Sequence, residues 1–134
     1  MSSPTVLVLN GELGFMFALS LELTRRQISV VPARTAREAR SSIAKFGLEP
    51  DLLLINCSSP GACALADEIS KGRREIRVIA IVSDRYHCNK CADRLAARFR
   101  DPDDKSPERI PHCAAVIERL LKEQQDQSRR AGGN

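Results

Sequence analysis

Short aliphatic runs alternate along this chain with longer stretches of helical spacing, and that alternation limits the folds open to it more than any other feature. The runs are Thr5–Leu9, Ile28–Val31, Leu52–Ile55 and Ile76–Val82. Each is short and almost continuously apolar, the pattern of a strand buried on both faces. Between them, Leu13, Phe17, Leu21 and Leu23 predict a helix from about Leu13 to Gln27. Thr35 with Glu38 three residues on makes a capping-box pattern. Ala36, Ala39, Ile43 and Phe46 follow as a stripe, and Gly47 is the expected stop. Pro60 to Gly72 reads as a third helix, with Ala62, Leu65, Ala66 and Ile69 on one face, and Tyr86 to Ala97 as a fourth. Ile110, Ala114, Ile117 and Leu121 mark the last one.

Phe99, flanked by Arg98 and Arg100, predicts a short fifth strand at a sheet edge. Pro111 lies too deep for a helix beginning at Ser106–Pro107, so either its first turn is irregular or the helix starts near Pro111. Ser128–Asn134 is polar and ends in glycines, so the expectation is one domain over 1–127 and a frayed tail over 128–134.

Continuous apolar strands separated by helices imply a parallel sheet covered on both sides. Right-handed crossovers leave few topologies. The expected class is α/β, a flavodoxin-like three-layer sandwich with five parallel strands in order 2-1-3-4-5. Val6, Val8, Leu53, Ile55, Val78 and Ile79 should lie in the core. In such a fold chemistry sits beyond the carboxyl ends of the strands. The candidates there are Asn10-Gly11-Glu12, Asn56-Cys57-Ser58, Ser83-Asp84 and Arg100-Asp101-Pro102.

Composition removes several function classes. No apolar run approaches the ~18 residues that span a bilayer. The start, MSSPTVLVLN, lacks the positive region of a signal peptide, so a cytoplasmic protein is expected. The net charge is +4, but the basic residues are spread along the chain, with one Tyr and no Trp. That is not the footprint of a nucleic-acid binder. Five cysteines, an odd number, fit free thiols in a reducing compartment.

With strands and edge loops placed, residues 5 to 125 resemble the receiver domain of two-component response regulators, the CheY-like family. TVLVLNGE lies where that family has a strand ending in an acidic pair. PDLLLINCSSPG resembles the strand ending in the phospho-accepting Asp, including Pro50-Asp51 before it and Pro60-Gly61 after. VIAIVSD resembles the fourth strand, ending in Thr or Ser, and Asp101-Pro102 the family's Lys-Pro step. The resemblance implies phosphoryl transfer to an aspartate, which needs a carboxylate nucleophile, carboxylates for Mg²⁺, a hydroxyl and a lysine. This chain departs from most of that set. Asn56 stands at the acceptor position; Asn10 and Gly11 stand at the acidic pair, with Glu12 the nearest carboxylate. Val82 falls at the hydroxyl position with Ser83 one residue late, Asp101 at the lysine position and Arg98 at the aromatic switch position. An amide has no anionic oxygen to attack phosphorus.

The expected function is therefore a stand-alone, degenerate receiver (a pseudo-receiver) and not an enzyme. It would need no cofactor and would bind a protein partner or a second copy through the fourth and fifth helices, with no nucleic acid or membrane partner. Asn56 can equally serve only its own loop, since an amide at a loop start favours local turns. Two rival sites are legible. Glu12, Asp84 and Asp101 follow the first, fourth and fifth strands and could converge on a cation. His87, Cys88 and Cys91 form HCNKC at a helix start, which supports a thiol- or zinc-responsive regulator. Zinc would need a fourth ligand from Cys57, Cys63 or His112–Cys113.

Overall fold

The computed structural model describes residues 3–72, 76–82, 95–100 and 109–132. Five parallel strands form one sheet in the order β2-β1-β3-β4-β5. They are β1 (Thr5–Leu9), β2 (Ser29–Ala33), β3 (Leu52–Asn56), β4 (Arg77–Val82) and β5 (Leu95–Arg100). The described helices are α1 (Leu13–Arg25), α2 (Ala36–Phe46), α3 (Ala62–Gly72) and α4 (Arg109–Gly132).

Strand alternation divides the core in two. On one face Val6, Val8, Leu52, Leu54, Ile79 and Ile81 pack with α1 (Phe15, Met16, Leu19, Leu23) and α4 (Ala114, Ile117, Leu120, Leu121). On the other, Leu7, Leu9, Leu53, Ile55, Val78 and Ala80 pack with α2 (Ala36, Ala39) and α3 (Ala62, Leu65, Ala66). Because successive side chains point to opposite faces, apolar residues at every position fill both layers. All six expected core residues are buried.

The register is pinned at the amino-terminal edge by a reciprocal pair. Asp51 N–H donates to the Thr5 carbonyl, and Thr5 N–H donates to Asp51 Oδ2, both at 2.8 Å. Val6 then lies level with Leu52, and Leu9 with Ile55. β2 is an outer strand and carries Pro32 opposite Val8.

The capping signals hold. Thr35 Oγ1 accepts from Glu38 N–H at 3.1 Å, and Glu38 Oε2 accepts from Arg34 N–H at 2.8 Å. Gly47 takes the left-handed conformation that closes α2, at φ 59°. There glycine avoids the Cβ penalty. α1 ends earlier than Gln27, at Arg25, and Gln27 itself turns left-handed at φ 63°.

Several sequence expectations are corrected. The helix expected over Tyr86–Ala97 cannot include Leu95–Ala97, which belong to β5; its earlier part lies outside the described residues. Leu-Ala-Ala favours helix locally, but pairing with β4 overrides a weak propensity. β5 does lie at the edge, as Phe99 and its flanking arginines suggested, but runs six residues. α4 starts at Arg109, so Pro111 falls in the first turn, where its missing N–H would have had no helical partner. The same helix is assigned to Gly132. Phe46, counted in the α2 stripe, is 66% exposed, with Lys45 Nζ 5.5 Å from its ring centre. On α1, the Leu13–Phe17–Leu21 stripe that predicted the helix faces water, and Phe15, Met16, Leu19 and Leu23 face the sheet.

Candidate functional site

The carboxyl ends of β1 and β3 bring Asn10 and Asn56 together. Leu9 is level with Ile55, so the next residues, Asn10 and Asn56, are level and point to the same face. Asn56 Nδ2 donates to Asn10 Oδ1 at 3.4 Å. Asn10 is 2% exposed, and its backbone N–H continues the ladder by donating to the Ala33 carbonyl at 3.1 Å.

Each amide orientation is fixed by a backbone donor. Asn10 Oδ1 accepts from Glu12 N–H at 2.9 Å, at the start of α1. Asn56 Oδ1 accepts from Ser58 N–H at 3.0 Å and from the Ser58 hydroxyl at 2.6 Å. Flipping either amide would set N–H against N–H. Asn56 thus builds its own loop, and Ser59 N–H closes the turn on the Asn56 carbonyl at 2.9 Å.

Both amide oxygens are engaged inside the protein. Among the described residues Asn10 Nδ2 is left buried with no hydrogen-bond partner, a cost of about 1–3 kcal/mol for an unmet donor. Of this pair, Asn10 Nδ2 is the group left unmet among the described residues, and an amide N–H is no ligand for Mg²⁺. Two carboxylates 3.4 Å apart would instead repel by about 5 kcal/mol at an effective dielectric of 20, and would call for a cation between them. The amide pair closes the same gap without one.

The other expected site residues divide. Gly11 and Glu12 are exposed on the loop into α1, and the Glu12 side chain makes no cap bond to that helix. Ser83, Asp84, Asp101, His87, Cys88 and Cys91 lie outside the described residues. Of the candidate fourth zinc ligands, Cys57 is buried on the α2/α3 side of the sheet and Cys113 on the α1/α4 side. Burial pushes the Cys113 thiol up to about 12, with nearby Arg109 opposing, so it stays protonated and is a poor metal ligand. Among the described residues no group of three His, Cys, Asp or Glu side chains could hold a metal. Sequence reading missed Arg109, whose guanidinium stacks 4.6 Å from the Phe15 ring. An arginine opening a helix carries no signal of that contact.

Comparison with protein-family models gives no match, and no curated protein matches in sequence. Solved structures do match in shape. A CheY-like response regulator receiver domain protein from Methanospirillum hungatei aligns with a TM-score of 0.77 at 17% identity, over 94% of this chain and 99% of that one. A response regulator receiver domain protein from Clostridium thermocellum gives 0.72 at 13% identity, over 91% and 97%. The signal receiver domain of an HD domain-containing protein from Pseudomonas fluorescens gives 0.75 at 17% identity, over 97% and 95%. The chain has the receiver-domain fold.

Proposed function

We propose that this chain is a pseudo-receiver: a module of two-component-type signalling that works by protein interaction, without accepting a phosphoryl group. The observation that carries the reading is the Asn10–Asn56 pair. It stands at the edge where the receiver fold performs its chemistry, and both its side-chain oxygens are engaged: that of Asn10 accepts from Glu12 N–H and Asn56 Nδ2, and that of Asn56 accepts from Ser58. Asn56 supplies no nucleophile, and among the described residues no group of three His, Cys, Asp or Glu side chains could hold Mg²⁺. In this reading Asn10, Gly11, Glu12, Asn56, Ser83 and Asp101 are the remnant of a phospho-acceptor pocket, and the function rests on a fixed surface.

The partner is a protein, met in the cytoplasm on the last helix and the segment preceding β5. The solvent side of α4 supports this with exposed Arg119, Lys122 and Glu123, a face suited to a partner of mixed charge. No described helix is long and apolar enough to cross a membrane.

Incubation with acetyl phosphate and Mg²⁺, read by intact-mass spectrometry, tests the reading. No phosphoryl adduct is expected. Asn56→Asp should restore little, because Asn10 and Gly11 still fail to hold the metal. A stable stoichiometric adduct on the unaltered chain would overturn the proposal.

A further inference from the structure

The solvent side of α1 is the least expected surface in the molecule. From Leu13 to Leu21 the helix contains no charged residue. Its inner face is fully used by the core. Its outer face still exposes Leu13 at 55%, Phe17 at 68% and Leu21 at 55%. A helix apolar all round is ordinarily buried all round. Spaced at i, i+4 and i+8, the three side chains form one continuous ridge.

Beside that ridge runs a groove. Gly14 is exposed, with no atom within 4 Å of where a Cβ would stand, and half-buried Ala18 follows one turn on. Ridge and groove on one helix are self-complementary. In an antiparallel pairing with a two-fold axis between Phe17 and Ala18, Phe17 of each chain lies over Ala18 of the other, and Leu21 over Gly14. Such an isologous contact is closed by symmetry and cannot run on into a filament.

Charge supports the same arrangement. Glu12 stands at the amino end of the stripe, exposed and making no cap bond. Arg25 stands at the carboxyl end, its side chain 80% exposed, with a 3.4 Å contact to Glu22. Antiparallel packing brings Glu12 of one chain toward Arg25 of the other at both ends and opposes the two helix dipoles. A parallel pairing would set like charges together. We infer that the α1 ridge of Leu13, Phe17 and Leu21 is a homodimer interface, pairing antiparallel with α1 of a second copy of this chain. The inference is independent of the chemistry at Asn56.

The area sets the strength. The ridge and its flanks supply on the order of 400–600 Å² per chain, below the about 800 Å² per partner of a standard interface. The dimer should be weak, with a dissociation constant of roughly tens of micromolar.

Sedimentation equilibrium of the full chain from about 5 to 500 µM tests it. A monomer–dimer equilibrium is expected. Phe17→Glu, at a 68% exposed position, should weaken it by roughly 30-fold or more, with unchanged circular dichroism and melting. Arg37→Glu, at an exposed position on α2, should leave it unchanged. Glu12→Arg and Arg25→Glu should each weaken association, and the double exchange should recover most of it. A chain monomeric throughout, a dimer indifferent to Phe17→Glu, or a double exchange no better than the singles would overturn the inference.

Discussion

Helices α1 and α4 lie side by side on the same sheet face and bury comparable inner surfaces, yet they meet water in opposite ways. Inward, α1 contributes Leu19 and Leu23 and α4 contributes Ala114 and Ile117, each 0% exposed. Outward, α4 carries a lattice of ions: Lys122 to Glu118 at 3.7 Å, Arg119 to Glu123 at 3.9 Å, and Glu123 to Arg77 of β4 at 3.0 Å. α1 carries Leu13, Phe17 and Leu21 over the same distance. Folding needs only the inner faces. The outer faces answer a different requirement, which is what each helix may touch.

The sharpest way to break this comparison is to truncate inward and outward residues in parallel. Leu19→Ala and Ile117→Ala should each destabilise the fold by about 2–5 kcal/mol in urea titrations, since both side chains are fully enclosed. Phe17→Ala in dilute solution should stay within about 0.5 kcal/mol of the parent. If Phe17→Ala matched Leu19→Ala, the outer stripe of α1 would be part of the core after all.

A second separation uses pH. Burial raises Cys113 from 9.0 to about 12. The folded chain therefore keeps this thiol neutral while the unfolded chain ionises. The contribution is fully present below pH 9, declines as pH rises toward about 12, and is gone above it. Cys113→Ala should flatten that decline. In alkylation at neutral pH, Cys113 should react more slowly than half-buried Cys63. Equal rates would mean that α4 opens from the sheet.

A small, salt-sensitive effect is expected on the outer side of α4. Glu118 reaches Arg26 at 3.8 Å and Lys122 at 3.7 Å, with its side chain 33% exposed. Glu118→Ala should cost about 0.5–1 kcal/mol at low salt and less at high salt. A larger, salt-independent loss would make these ion pairs structural.

The strand order was legible in the sequence because a parallel sheet writes itself as unbroken apolar runs. The Asn10–Asn56 meeting was legible for a related reason: each is the first polar residue after such a run, and strand ends converge at one edge. The face of α1 was not. Apolar residues stand at 13, 15, 16, 17, 19, 21 and 23, so periodicity marks a helix and leaves open which side it buries. Only the position of the sheet selects Phe15, Met16, Leu19 and Leu23. Phe46 misled similarly, because it ends its helix beyond the reach of the layer beneath. β5 was legible at Phe99 and obscured at Leu95–Ala97, where local preference and strand pairing disagree.

Pro32 bears on how copies of this chain can meet. Ala33 directs its carbonyl to Asn10 of β1, so alternation turns the Pro32 nitrogen toward the free edge of the sheet. That nitrogen carries no hydrogen, and the ring occupies the space an incoming strand would need. The outer edge of β2 thus cannot template another chain's backbone, a protection against runaway β-aggregation in a protein whose central strands are this apolar. At that margin, cohesion between copies is left to side chains on helices, where it can be weak, saturable and reversible.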